Sequence, residues 1–421
     1  MPIALTYSNF CVYFYYMQKA KLNEIYLSQV ENIKDTDDGV FRLALNFLPD
    51  VKNHALVISG VRRCGKSTLL RQFIKRTGKP FFYLNFDDLR LLEFSVSDYG
   101  ILDEIIDETG IKFIFFDEIQ TAANWELYVR QKLDQGFKVV LTGSNASLLS
   151  RELGTKLTGR HIVKELFPFS YSEYLTFSKT KRGYNSFKKY FQMGGFPEYL
   201  KLKNPEILTQ LQKDILYRDI AVRYNVSDER SLQRLYVFLA SHAGSLISPS
   251  KLKDVAGVKS HTTILEYFSY FENSYLLSMV QKFAWSQKAQ SLAPKKVYFT
   301  DIGFIRTAGF AFSENAGHIL ENFVFNELRR KYGSFDDKQI YYYAEGNCEC
   351  DFVVSPLFAP QCIQVCLKLD FDNTERELKG LLAAMDFFKL KKGIILTENS
   401  HDVFVQEDKR IEIMPAWEYF E

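Results

Sequence analysis

The stretch Ser59-Gly60-Val61-Arg62-Arg63-Cys64-Gly65-Lys66-Ser67-Thr68, SGVRRCGKST, decides the reading of the amino-terminal half. It follows the apolar run HALVI (54–58) and leads into STLLRQFIKR (67–76), whose apolar positions recur at helical spacing. A glycine, four residues and then Gly-Lys-Ser, between a predicted strand and a predicted helix, is the pattern of a phosphate-binding loop. Gly60 lets the backbone turn sharply off the strand, and Gly65 lets main-chain amides approach phosphate oxygens with no side chain between. Consecutive amides and a helix N-terminus then form a nest for anionic oxygens. The candidate ATP-binding segment is thus Gly60, Val61, Arg62, Arg63, Cys64, Gly65, Lys66, Ser67 and Thr68. Lys66 supplies a point charge for the outer phosphates, the Ser67 hydroxyl is a candidate Mg2+ ligand, and Thr68 is an accessory neighbour. Cys64 lies in the variable part of the loop, with no activating partner in view for a redox role.

Such a site needs an acid at the end of a second strand. KFIFFDEIQ (112–120) offers Asp117 and Glu118 after an apolar run. Asp117 is the candidate to hold Mg2+ through water, and Glu118 to polarise an attacking water as general base. Two solvated carboxylates at a strand end would give the same letters in an ordinary surface turn. KVVLTGSNAS (138–147) places Ser144 and Asn145 at another strand end, where either side chain would meet a γ-phosphate or the water; polar turn chemistry is the rival explanation. Arg160, just before HIVKELFPF (161–169), is a candidate for stabilising transition-state charge, in its own chain or in a neighbouring subunit. Surface salt-bridging explains it equally well. Asp87 and Asp88 after FFYLNF (81–86) read as a helix cap rather than as catalytic groups.

Working outward, short apolar runs alternate with helical segments up to about residue 170, which predicts a parallel sheet covered on both faces. Residues 171–228 lose the strand signal and read as a helical lid around the turn GGFPEY (194–199). Residues 229–300 give three helices with serine caps and a hairpin-like tail, the order of a winged helix-turn-helix, with 259–271 in the recognition position. His261, Lys253 and Lys259 make only a thin basic face there, so a protein-packing module is the alternative. Residues 301–421 form a third α/β unit. The uncharged opening MPIALTYSNFCVYFYYM lacks a basic signal-peptide start and is short for a membrane span, so residues 1–20 read as a leader, disordered or artefactual, with Met17 an alternative start.

The 421 residues call for two or three domains. Fifty-three basic and 51 acidic residues leave a net charge of +2, which neither requires nor excludes nucleic acid. Six scattered cysteines are no disulfide framework, and a reducing cytoplasm is the default.

An added strand between the loop and the acidic strand, a glutamate after the aspartate and a polar strand end resemble the AAA-type branch of P-loop ATPases. More narrowly, GVRRCGKSTLL, FIFFDEIQ, LTGSNASLL, LTGR with LFPFSYSEYL, GGFPEYL, DILYRDIAVRY, LENFVFNEL and CDFVV with IQVCL resemble a family of prokaryotic ATPases that carry a C-terminal domain of unknown function. The resemblance extends over most of the chain and implies an ATPase core, a winged-helix middle and an end similar to restriction-endonuclease folds. Nucleases of that fold need a helix glutamate, a strand aspartate, then an acid and a lysine two residues apart on the next strand. Glu321 and Asp351 fit the first two places, whereas the third falls on Gln364 and Cys366, which supply neither anion nor cation. Lys368 lies on the same strand face and could migrate into the role. A degenerate nuclease-like site is therefore expected. Cys348, Cys350, Cys362 and Cys366 lack the usual zinc spacing and read as small core residues.

The expected activity is Mg2+-dependent ATP binding and hydrolysis, coupled to rearrangement of C-terminal domains that bind DNA or a protein partner. A DNA-binding protein with ATP-gated or weak nuclease activity, and a signalling or scaffold ATPase, are the alternatives. No membrane association is expected, and oligomerisation is compatible with the reading.

Overall fold

Alternate residues of the strand Ala55–Ser59 (β1) divide between two hydrophobic cores. Ala55 and Val57 enter one, Leu56 and Ile58 the other, and all are buried. The strands Phe82–Asn85 (β2), Phe113–Asp117 (β3) and Lys138–Gly143 (β4) divide in the same way: Ile114, Phe116, Val139 and Leu141 lie on one face, Tyr83, Phe115 and Val140 on the other. Period-two alternation with both faces apolar is what a sheet covered on both sides requires. With the strand His161–Glu165 (β5) they form one parallel sheet in the order β2-β3-β4-β1-β5. In the computed structural model, residues 18–50, 52–144, 157, 159–308, 316–332 and 339–420 are described. Residues 1–17 of the proposed leader 1–20 lie outside them, as does Asn145, while Lys19 and Ala20 open the first helix.

The helix Lys19–Asp35 covers the first face. Leu22, Ile25 and Tyr26 join its core, Tyr26 stacks on Phe82 at 4.4 Å, and Gln29 exchanges hydrogen bonds with the main chain of Asn85. The opposite core is continuous with the rest of the molecule. It takes in helices Tyr171–Ser178, Tyr184–Met193 and Glu206–Asp214, then the middle region, and finally the helix Ala316–Tyr332.

Helices Glu229–Ser241, Pro249–Ala256 and His261–Asn273 accompany a three-stranded antiparallel sheet in which Lys295–Phe299 (β8) lies between Leu246–Ile247 (β6), which falls between the first two helices, and Leu277–Val280 (β7). The connection between β7 and β8 is not free. Phe283 N–H donates to the Tyr342 carbonyl at 2.7 Å and Tyr342 N–H to the Gln281 carbonyl at 3.1 Å, joining it to the carboxy-terminal sheet. After β8, Asp301 accepts N–H bonds from Gly195 and Gly303, and the helix Ile302–Thr307 turns back onto the helices around 184–214.

The last unit holds a mixed sheet in the order β13-β14-β12-β11-β10-β9. Its strands are Ile340–Glu345 (β9), Cys348–Val354 (β10), Gln361–Val365 (β11), Lys392–Thr397 (β12), Asp402–Gln406 (β13) and Lys409–Pro415 (β14), with the helix Thr374–Phe387 on one face. The fold is therefore α/β, with an amino-terminal parallel sheet of the P-loop ATPase type and a separate mixed sheet at the carboxy-terminal end. Among the described residues no helix is long and apolar enough to cross a membrane.

Candidate functional site

Strand register brings the phosphate loop and the acids to one level. Ser59 lies beside Gly143, and Phe116 beside Leu141, so the loop after β1 and the pair Asp117-Glu118 after β3 emerge on either side of the end of β4. Clefts beyond the carboxyl ends of parallel strands are where such folds bind ligands.

The two loop glycines are required by geometry. Gly60 has φ +146°, and a Cβ there would stand 2.2 Å from the Leu166 carbonyl oxygen. Gly65, with φ +102°, opens the helix Lys66–Thr77, and a Cβ would come 2.7 Å from Arg42 Nη1. Lys66 is 4% exposed; its Nζ donates to the carbonyls of Gly60 (3.2 Å) and Val61 (3.3 Å) and stands 3.7 Å from Glu118.

Asp117 is buried and held on three sides. Tyr83 Oη donates to it at 3.0 Å, Thr142 Oγ1 donates to its other oxygen, and the Ser67 hydroxyl bonds it as well. Burial, reinforced by the Glu118 charge, pushes this carboxyl above its ordinary range despite those bonds. Thr142 also accepts the Glu118 N–H at 3.0 Å, so one hydroxyl fixes both acids. Glu118 takes a left-handed backbone, φ +49°, which turns its side chain back over the loop. Burial alone would raise its carboxyl, but Lys66, the Gln120 amide, Arg62 and Ser144 outweigh it and hold Glu118 below the usual range. Glu118 is thus an anion beside a lysine, as an acceptor for a water proton should be.

A hydroxyl and a carboxylate in contact are the oxygen ligands that a hard cation such as Mg2+ takes, and Ser67 and Asp117 would hold it. Among the described residues no group of three or more His, Cys, Asp or Glu side chains is arranged to hold a metal. An Mg2+ held by one hydroxyl, one carboxylate and a nucleotide needs no such group.

Arg160 is not brought to this site in its own chain. Its carbonyl accepts from Ala55 N–H, at the entry end of β1 and thus the opposite edge of the sheet from the loop, and its guanidinium pairs with Asp134 at 2.6 Å. The expectation of a role in cis is corrected by the strand direction: Arg160 precedes a strand that runs parallel to β1. Asp88 caps the turn Leu89–Leu91, accepting from Arg90 N–H at 3.0 Å.

Several residues that surround the loop carried no signal in the sequence. Buried Arg42 donates to Glu173 (2.9 Å), the Cys64 carbonyl (2.7 Å) and the Phe167 carbonyl (2.7 Å). Arg62 pairs with Asp219, and Arg63 with Glu198, from the GGFPEYL and DILYRDIAVRY segments. The sequence marked Arg62 and Arg63 as loop residues and GGFPEYL and DILYRDIAVRY as motifs, but carried no sign that they pair.

The carboxy-terminal acids Glu321 and Asp351 converge on a lysine from another element. Lys296 of β8, 2% exposed, places Nζ 2.9 Å from Glu321, 2.7 Å from Asp351 and 2.7 Å from Glu349. Tyr298 also donates to Glu321 at 2.6 Å. The lysine among the acids is thus Lys296 and not Lys368, which lies exposed beyond the end of β11. Gln364 accepts from Asp351 N–H and donates to Glu377 at 2.6 Å, completing a network of its own. Burial pushes the Cys366 thiol up to about 12, so it is no nucleophile. Cys350, Cys362 and Cys366 lie in one hydrophobic cluster, with Cys348 partly exposed at the start of β10.

The loop, the acid pair and the strand order between them define a P-loop ATPase fold of the AAA type. Residues 52–175 match the family model of an AAA domain, residues 184–314 a domain of unknown function (DUF8612), and residues 316–419 a second domain of unknown function (DUF4143). The chain is 31% identical over 431 aligned residues to the uncharacterized protein MJ1544 of Methanocaldococcus jannaschii, across 96% of this chain and 95% of that one. An uncharacterized protein of Haemophilus influenzae is 30% identical over 89% of this chain and 93% of its own length. The chain belongs to this family of prokaryotic proteins, in which an AAA-type ATPase domain precedes two domains of unknown function. Among solved structures, the Walker-type ATPase paby2304 of Pyrococcus abyssi matches with TM-score 0.43 at 14% identity, over 69% of this chain and 94% of that one. The Thermotoga maritima RuvB Holliday junction branch migration motor matches with TM-score 0.28 at 14% identity, over 62% and 89%. Likenesses of that size say nothing about what this chain acts on.

Proposed function

We propose that the protein binds and hydrolyses ATP at the loop Gly60–Thr68, and that nucleotide state is passed to the helices and domains that follow. The observation that carries the reading is the convergence of Lys66, Ser67, Asp117 and Glu118 at one strand edge, with Thr142 fixing both acids. In this reading the loop amides and Lys66 bind the β- and γ-phosphates, and in doing so Lys66 leaves the loop carbonyls it now satisfies. Ser67 and Asp117 would hold Mg2+, which when bound supplies charge neutralisation for the phosphates. Glu118 orients a water toward the γ-phosphate and accepts its proton; Ser144, bonded to Glu118, steadies that side chain. Asn145 belongs to the same proposal as a contact to the γ-phosphate. Arg160 enters it only as a residue offered to a neighbouring subunit.

We read residues 229–300 as a winged helix that faces protein rather than DNA. In the recognition segment 259–271 the exposed residues are Lys259, Ser260, His261, Thr262, Leu265, Glu266 and Ser269, so one lysine is its only fixed cation. DNA binding depends on neutralising phosphates and so falls steeply with salt. The bonds of Gln281 and Phe283 to Tyr342 and the Lys296 cluster also engage this region with the carboxy-terminal unit.

The test is ATP binding by calorimetry and phosphate release by the full chain with Mg2+. Lys66→Ala is expected to abolish binding, and wild-type binding by that variant would contradict the loop assignment.

A further inference from the structure

Arg62 has no task in a phosphate loop that works through main-chain amides, yet its side chain is fully committed. Nε donates to Asp219 Oδ2 at 3.0 Å and Nη2 to Oδ1 at 2.8 Å, a two-pronged match of guanidinium and carboxylate. Asp219 is buried, and it stands on the run Ile215–Val222, which is wound as a π-helix. Such runs are rare and recur at functional sites, because the widened turn aims a side chain that an α-helix would point elsewhere. Ile215, Leu216, Ile220 and Ala221 of the same run are buried in the core shared with the middle region, and Tyr217 reaches Gln233 of the next helix at 3.3 Å. Movement of Asp219 therefore displaces the packing that follows it.

Arg62 is also near enough to the candidate catalytic acid Glu118 for its charge to act there, and Glu118 stands 3.7 Å from Lys66 Nζ. A γ-phosphate held by Lys66 and facing a water on Glu118 occupies the space those two groups enclose, beside the arginine.

We propose that Arg62 is a two-state link between nucleotide and helices, bound to Asp219 in the structure described here and transferred to the γ-phosphate when ATP is held. The inference rests on the ATP-binding reading of the loop. A ligand moves an equilibrium only through differential interaction with its two states; in this proposal the Nε–Nη2 edge that holds Asp219 is the edge handed to the phosphate. With ATP bound, Asp219 becomes a buried carboxylate without its cation, which is costly, and the π-helical run shifts to expose it. With ADP there is no γ-phosphate, and Arg62 stays on Asp219. The neighbouring pair, Arg63 with Glu198 at 2.7 Å, has both side chains more than 40% exposed; pairs of that kind contribute little, so it serves as the control.

Asp219→Asn removes the competitor for Arg62. It is expected to tighten binding of the non-hydrolysable analogue adenylyl imidodiphosphate about tenfold, the worth of one charge-assisted hydrogen bond, and to leave ADP affinity unchanged. Glu198→Gln is expected to change neither. In an Arg62→Gln background, Asp219→Asn should no longer affect analogue affinity, as a double-mutant cycle requires. In the wild type, amide exchange across 215–222 should speed up with the analogue and not with ADP. Unchanged or weaker analogue binding by a folded Asp219→Asn protein, or equal exchange of 215–222 with both nucleotides, overturns the link while leaving ATP binding intact. Binding of neither nucleotide by the wild type overturns the ATPase reading and the link with it.

Discussion

Replacing Lys296 by Met removes one ammonium from among three carboxylates. Lys296 is 2% exposed, the side chains of Glu321 and Asp351 are 8% exposed, and Glu349 is 40% exposed. Glu349 can rehydrate, but Glu321 and Asp351 would face each other without a cation. Breaking a buried ion pair by removing one member costs about 3–5 kcal/mol, because the partner's charge stays behind without compensation. Burial and the Glu321 charge already push Asp351 up, to about 7, so protonation is the available relief. The sign follows: an acid with a raised folded pKa stabilises the fold fully below its unfolded pKa, and that contribution is lost as pH rises through the folded value. Lys296→Met should therefore be most damaging near pH 8 and recover as pH falls toward 5. The assay is urea unfolding at several pH values, followed by intrinsic fluorescence, to which Trp125, Trp285 and Trp417 all contribute. Adding Glu321→Gln and Asp351→Asn to Lys296→Met should restore most of the loss, since the charges that needed the amine are gone. A single-variant loss below about 1 kcal/mol, the worth of a solvated pair, would refute the claim that this lysine braces two domains.

Three further outcomes are expected. Arg42→Met should cost about 3–5 kcal/mol of stability by stranding buried Glu173, and it should weaken ATP binding because the Cys64 carbonyl loses its donor; Arg42→Lys, measured alongside by calorimetry, should recover only part of either. Thr142→Val deletes the hydroxyl that holds both acids, so steady-state kinetics should show kcat falling at least about tenfold with little change in ATP affinity, the pattern of a lost transition-state contact. Asp301, pushed to about 6 by burial against the bonds from Gly195 and Gly303, withdraws up to about 3 kcal/mol as pH rises from 4 to 7; that slope should vanish from the pH dependence of unfolding in Asp301→Asn.

The parallel sheet was legible because its strands are buried on both faces and read as continuous apolar runs: FFYLNF, KFIFFD and KVVLTG each became a strand. The loop was legible because glycine, lysine and hydroxyl must occupy fixed positions to meet a phosphate chain. Strands β13 and β14 escaped notice: every residue of Asp402–Gln406 is at least partly exposed, and Lys409–Pro415 buries only Ile411, Ile413 and Pro415 among largely polar neighbours. The groups that hold the site escaped for another reason. Arg42 and Glu173 are 131 residues apart, Arg62 and Asp219 are 157 apart, and Lys296 and Asp351 are 55 apart. Local periodicity carries no information about such pairings. The sequence left a role for Arg160 in cis, in a neighbouring subunit or in a surface pair open, and its guanidinium lies against Asp134.

The central claim is that Glu118 drives hydrolysis at a loop that binds ATP through Lys66. The most direct measurement is phosphate release by the wild type and by Glu118→Gln, with ATP affinity measured on the same preparations. The account predicts Mg2+-dependent release by the wild type, and near-complete loss of release by Glu118→Gln with ATP still bound. Undiminished release by Glu118→Gln, or no ATP binding by the wild type, would contradict it.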